Sequence, residues 1–253
     1  MALAGCAGSS ASRVPASEAS GASEASRSSA ASATTTLDVF AASSLQATFT
    51  TIAKQFESSH PGTSVRLTFA GSADLVSQIE QGAPADVLAT ADQATMSKAA
   101  DQVAGSAVPF ATNTMTIVVP TGNPAGIKAL ADLASADVKT VICAPQVPCG
   151  AATAKIEQSS GVTIHAVSEE NAVAGVLGKV TSGEADAGVA YVTDAAGATL
   201  STIAIDPSVN VHTTYMIGAL AGAGSSQTAA EFIESVRGPQ GQQVLAQAGF
   251  GSA

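Results

Sequence analysis

From Leu37 onward the apolar residues of this chain switch repeatedly between two periods. "LDVFA" (37–41) alternates as a half-buried strand does, whereas "SLQATFTTIAKQFESS" (44–59) sets Leu45, Phe49, Ile52 and Phe56 on one helical face before "HPG" at 60–62 stops it. "VRLTFA" (65–70) predicts a second strand. "SADLVSQIEQG" (72–82) predicts a second helix, with Leu75, Val76 and Ile79 inward and Gly82 as its stop. Further strands are predicted at "ADVLAT" (85–90), "MTIVVP" (115–120), "TVICAP" (140–145), "AGVAYV" (187–192) and "TTYMIGALAG" (213–222). Helices are predicted at "GAATAKIEQSSG" (150–161), "SEENAVAGVLGKVTSG" (168–183), "TAAEFIESVRG" (228–238) and "PQGQQVLAQAGF" (239–250). Strands alternating with helices imply an α/β fold with a mostly parallel sheet flanked by helices. No internal repeat of solenoid period is present.

The pattern is absent before residue 37. Residues 7–36 contain one large apolar residue, Val14, and cannot bury a core, so they read as a disordered Ser/Ala-rich tether. As a flexible coil it would span roughly 30 Å. Ahead of it, Cys6 stands in "LAGC", which resembles the lipobox of bacterial lipoproteins, where the cysteine carries the lipid. Met1 to Gly5 is too short for a signal sequence, so a longer precursor with a signal peptide is expected. Together these point to a lipid-anchored protein on the outer face of a membrane.

Composition narrows the partners. Of 253 residues, 46% are hydrophobic and only 12% charged, with no long uninterrupted apolar stretch, which argues for a globular body without a transmembrane helix. The net charge of −10 argues against nucleic acid or an anionic membrane surface as a partner. An anionic ligand would have to be held by local donors against that field.

Those donors have candidates. Three strand-to-helix turns, "AASSL" (41–45), "FAGSADL" (69–75) and "VPCGAA" (147–152), set small residues where a helix starts and N–H groups lack acceptors. Taken singly, each is adequately explained as a helix cap. Ser43, Ser44 and Ser72 could also be nucleophiles, making a lipid-anchored serine hydrolase an alternative. There is no G-x-S-x-G elbow, however, and His60, His165 and His212 carry no triad signature. A surface adhesin, with the three turns as plain caps, is a third class. Asp86, Asp92 and Asp101 fit no calcium loop, so no metal and no cofactor are expected. Tyr191, closing a predicted strand, is either a core aromatic or a phenol donor at a cleft. Cys143 and Cys149, six apart with two prolines between, suit a disulfide in an exported protein, two buried thiols, or least well a metal pair.

Together, "FAASSL", "FAGSADLVSQIEQGAPADVLATAD", "NTMTIVVP", "GEADAGVAYVTDA" and "GPQGQQVLAQAGF" resemble the molybdate-binding proteins of bacterial ABC importers, in order from about Leu37 to Phe250. The resemblance implies a two-lobed type II periplasmic-binding-protein fold, its lobes joined by two crossing strands at "TMTIVVP" and "TYMIGALA". Lobe I would comprise 37–117 plus 218–253, and lobe II 118–217. It also implies a monomer that is not an enzyme, takes molybdate or tungstate, and hands it to the importer's membrane subunits; sulfate or another tetrahedral oxyanion is the alternative ligand. The family holds its ligand with serine hydroxyls, backbone amides and a tyrosine hydroxyl. Those roles fall on Ser44, Ser72, the amides of Cys149 and Val173, and Tyr191, with Ala172 the neighbour that could replace Val173. Cys149 stands where the family usually has alanine, which an amide donor tolerates. Asp74, near Ser72, is expected to point away from the ligand.

Overall fold

The computed structural model describes residues 35–253. Nine strands form two sheets that share one long member. β1 (Thr35–Ala42), β2 (Thr63–Ala70) and β3 (Val87–Thr90) are parallel neighbours in the order β2-β1-β3. β9 (His212–Ala219) runs antiparallel to β3 and to the first half of β4 (Val108–Pro120). β4 then changes sheets. Val108–Thr114 pairs with β9, whereas Met115–Val118 pairs with β7 (Ala187–Tyr191), and Thr116–Pro120 pairs on its other edge with β8 (Leu200–Ala204). Beyond β7 lie β5 (Thr140–Cys143) and β6 (Ala166–Glu170), parallel to one another and, through β5, to β7.

Helices cover both sheets: α1 (Gln46–Ser59), α2 (Ser72–Glu80), α3 (Gln93–Lys98), α4 (Pro148–Ser160), α5 (Val173–Thr181), α6 (Val192–Ala196), α7 (Ser226–Arg237) and α8 (Pro239–Gln247). The predicted stripe of α1 is buried, with Phe49 and Phe56 packed edge-on to Phe232 of α7, ring centroids 6.1 and 5.4 Å apart. Each such ring contributes roughly 1.5–3 kcal/mol by burial. On the opposite face of the first sheet, Leu75, Val76 and Ile79 of α2 pack with Phe40, Leu88 and Met216.

Four sequence expectations are corrected. Thr35 and Thr36, expected in the tether, belong to β1, which pairs with β2 from its first residue. The predicted helix 168–183 is a strand and a helix. Ser168–Glu170 pair with Val141–Cys143 as β6, and α5 starts only at Val173. Backbone pairing overrides the helix preference of the glutamates, and Glu170 is held by Lys179 of α5 at 2.5 Å. The strand predicted at 115–120 starts at Val108; Pro109, at a register shift, and the polar Asn113 and Thr114 conceal it. Edge strand β8 and short helices α3 and α6 were not predicted. Among the described residues no helix is long and apolar enough to cross a membrane, and no His/Cys/Asp/Glu group could hold a metal ion. Cys6 and the tether before residue 35 lie outside the described residues.

Candidate functional site

Four helices begin at one small cavity. The Ser43–Leu45 turn that opens into α1 and the starts of α2, α4 and α5 converge on it, and Tyr191 reaches it from the end of β7. Each start presents N–H groups without intrahelical acceptors and the positive end of a helix dipole. No side chain caps any of the four. The contrast is α3, where the Asp92 carboxylate accepts the Thr95 N–H at 2.7 Å. The serines at 44 and 72 are therefore not consumed by capping.

The side chains have defined donor roles. Ser72 is buried, and its Oγ accepts the Ala91 N–H at 3.1 Å, which leaves the hydroxyl proton to donate elsewhere. Ser44 Oγ lies 3.0 Å from the hydroxyl of Tyr215, a β9 residue. The Tyr191 ring is 1% exposed, and its hydroxyl makes no hydrogen bond. Burial pushes the Tyr191 phenol well above its usual pKa, with Tyr215, Asp92 and Asp194 adding to the shift, so it stays a neutral donor. An unpartnered hydroxyl in the interior costs roughly 1–3 kcal/mol. Tyr191 is one of the residues lining the cavity, which makes a ligand acceptor the natural partner of its hydroxyl.

Ser44, Ser72, Cys149, Val173 and Tyr191, spread over 148 positions of sequence from Ser44 to Tyr191, are thus all brought to one cavity, and Ala172 lines it too. Asp74 does not line it; its carboxylate lies beside Gly71 in the first turn of α2. Among the described residues no lysine, arginine, histidine or carboxylate is on the wall. Traced by the centre of a water-sized sphere the cavity holds about 20 Å³, equivalent to an inner radius of about 3 Å, the outer size of one tetrahedral oxyanion. Cys143 and Cys149 are joined as a disulfide, Cα atoms 5.6 Å apart, tying the end of β5 to the first turn of α4. Gly150 completes that junction, because a Cβ there would meet the Ala144 carbonyl oxygen at 1.9 Å.

Ser43, which could have been only a cap or spacer, is on the cavity wall, and sequence reasoning missed Gly71, Asn171 and Tyr215. For Tyr215 a signal existed: it is one of only two tyrosines in the chain, inside a predicted strand. Nothing local shows that it meets a serine 171 residues away.

A family model described as bacterial extracellular solute-binding protein matches residues 37–251, and the chain belongs to that family. It is an extracytoplasmic solute-binding protein, not an enzyme, on a type II periplasmic-binding-protein fold. More particularly, the molybdate-binding protein ModA of Mycobacterium tuberculosis is 43% identical to it over 216 residues, 84% of this chain and 83% of the relative. Two solved structures share the fold. The periplasmic molybdate-binding protein of Azotobacter vinelandii superimposes with a TM-score of 0.71 at 20% identity, covering 85% of this chain and 98% of that one. The sulfate-binding protein SubI of Mycobacterium tuberculosis does so with 0.75 at 19% identity, covering 85% and 86%.

Proposed function

We propose that this protein captures molybdate, or tungstate, in the cavity between two lobes and delivers it to an ABC importer. The observation that carries the reading is the unpartnered Tyr191 hydroxyl on the wall of an oxyanion-sized cavity at which four uncapped helix starts meet. The 43% identity to a molybdate-binding protein supports the choice of anion. The hydroxyls of Ser44, Ser72 and Tyr191 and the amides of Cys149 and Val173 are the assigned donors. Each bond to the dianion is charge-assisted and roughly twice as strong as a neutral one. With no carboxylate on the wall, a protonated phosphate would meet only neutral acceptors for its own O–H and be held less well than a fully deprotonated dianion.

The lobes divide where the sheets do. Lobe I holds β1–β3, β9 and the first half of β4; lobe II holds the second half of β4 and β5–β8. The change of partner at Thr114–Met115 and the pairing of β9 within the first sheet support a division near residue 114 and before His212, close to the 117 and 217 that the resemblance implies. Closure of the lobes on the anion would create the shape that the importer's membrane subunits recognise. The protein acts as a monomer, tethered to the membrane by lipid on Cys6. A hydrolase reading loses its support, since Ser44 and Ser72 are paired with a phenol and a backbone amide and no histidine lines the cavity.

Thermal unfolding with molybdate, tungstate, sulfate and phosphate tests this. Ligand at about 100 times its Kd adds roughly 2.7 kcal/mol, which for a body of this size raises Tm by roughly 5–10 °C. A protein unmoved by molybdate and tungstate refutes the reading; an equal shift with sulfate reassigns the site to tetrahedral dianions in general.

A further inference from the structure

The hydrogen bond between Ser44 and Tyr215 has a direction that the surrounding groups determine. Asn113, in the last stretch of β4 before it changes sheets, accepts the Thr114 N–H on its Oδ1 at 2.9 Å, so its amide nitrogen must face the other way. That Nδ2 donates one hydrogen to Thr193 Oγ1 at 2.7 Å and the other to the Tyr215 hydroxyl at 3.4 Å. Tyr215 is fully buried; beside it stands the Tyr191 hydroxyl, which has no partner within hydrogen-bond distance, so the remaining partner at that distance is Ser44, 3.0 Å away. If Ser44 donated to Tyr215, the phenol would accept twice and its own proton would be buried without a partner, at a cost comparable to a lost hydrogen bond. The satisfied arrangement has Asn113 donating to Tyr215 and Tyr215 donating to Ser44 Oγ. Of Asn113, Tyr215 and Ser44, Ser44 is then the one left with a proton that has no acceptor, and Ser44 is on the cavity wall.

We infer that Asn113 and Tyr215 are positioning residues for ligand capture: they form a one-way hydrogen-bond chain that turns the Ser44 hydroxyl into an obligatory donor to the bound anion. The inference rests on the oxyanion reading of the cavity. Its two inner members lie on β4, the strand shared by both sheets, and on its neighbour β9, and Asn113 also bonds Thr193 at the start of α6. A donor held this way does not have to be reoriented when the ligand arrives.

The test is a double-mutant cycle on molybdate affinity by calorimetry, using wild type, Tyr215→Phe, Ser44→Ala and the double variant. Tyr215→Phe keeps the edge-on packing against Phe110 and Phe250. It is expected to weaken binding roughly tenfold in the wild-type background, and by less than about twofold when Ser44 is already alanine. A loss of equal size in both backgrounds, which a merely structural role would give, overturns the inference, as does unchanged affinity in Tyr215→Phe. Asn113→Asp gives a second route if Tyr215→Phe does not fold. It accepts where asparagine donates and reverses the chain, so its loss of affinity should likewise shrink in the Ser44→Ala background; an undiminished loss there overturns the inference. Wild type that fails to bind molybdate at all overturns the oxyanion reading, which separates the two failures.

Discussion

Replacing Gly71 with alanine should stabilise the protein slightly and weaken its grip on the ligand, two effects of opposite sign from one methyl group. Gly71 precedes α2 at φ −60° and ψ 138°, a conformation that any residue adopts, and the nearest atom of its own helix to a Cβ there, Asp74 Oδ2 at 3.1 Å, is a side-chain end that can turn aside. Its Cβ would lie 2.1 Å from the carbonyl oxygen of Asn171 and 3.2 Å from that carbonyl carbon. Asn171 is in the turn between β6 and α5 and lines the same cavity. The approach is about 1.3 Å short of the 3.4 Å at which ordinary contact begins, and the obstacle is backbone, which no rotamer change can move. The two turns must therefore separate. Overpacking of this kind costs about 1–3 kcal/mol, and because it falls only on the closed form it should reduce molybdate affinity roughly 5- to 150-fold. The unliganded protein, free to open, keeps the roughly 0.4–1 kcal/mol that Gly→Ala gains from the unfolded chain, so its Tm should rise by about 1–4 °C. Calorimetric titration and thermal unfolding of Gly71→Ala with and without molybdate read both effects. Wild-type affinity would show that the turns do not meet in the bound state, and a Tm several degrees lower without ligand would show that glycine serves lobe I itself.

Tyr191→Phe should likewise split the two properties. Removing a buried hydroxyl that has no partner raises unliganded stability by about 1 kcal/mol, while the loss of a charge-assisted donor weakens molybdate binding at least about tenfold; unchanged affinity would remove Tyr191 from the donor set. Asp194, one of whose carboxylate oxygens is buried without a partner, has its pKa raised by burial from 3.8 to about 7. Its protonated form is the one the fold prefers, so stability is full below about pH 4 and falls as pH rises towards 7, by at most about 4 kcal/mol in total. Asp194→Asn should flatten that slope in a pH series of urea unfolding curves, and a slope that persists would place its origin elsewhere. Reducing the Cys143–Cys149 disulfide with dithiothreitol should cost about 2 kcal/mol on the chain-entropy model, for a loop this short. It should also weaken molybdate binding by loosening the first turn of α4, and unaltered affinity would mean that Gly150 packing alone fixes the Cys149 amide.

The parts of this molecule visible in its sequence are those governed by short-range periodicity. The stripe of Leu45, Phe49, Ile52 and Phe56 predicts α1 because one face of a helix must be buried, and all four residues are buried. Small residues before apolar periodic runs locate the starts of α1, α2 and α4 that reach the cavity. Position in three dimensions is what the local pattern lacks. The segment "SEE" favours a helix, yet it is an edge strand because β5 offers it a backbone to pair with. Val108–Thr114 is concealed because a strand that serves two sheets carries polar residues, Asn113 and Thr114, at the crossing. Gly71 has ordinary dihedrals, so its reason for being glycine lies in a turn 100 residues later. Tyr215 alternates correctly as a buried strand residue, and the same pattern would serve a tyrosine with no hydroxyl partner at all.

These long-range features share one physical cause, the absence of any cation on the cavity wall of a protein whose net charge is −10. A lysine or arginine would attract an anion into an open, hydrated cleft, because a full charge acts over about a Debye length of 8 Å in physiological salt. Hydroxyl and amide dipoles act only at contact, and in water they compete with a solvent that offers the same bonds. They become effective when water is expelled and the local dielectric falls. Affinity in such a site must therefore come from closure and from donors oriented before the anion arrives. That requirement would account together for the close approach of two turns at Gly71, for the disulfide and Gly150 at the first turn of α4, and for the inferred role of Asn113 and Tyr215 in fixing the Ser44 proton. It also makes the site discriminating. A cation would accept any anion of suitable size, whereas a closed shell of donors favours one that brings acceptors alone.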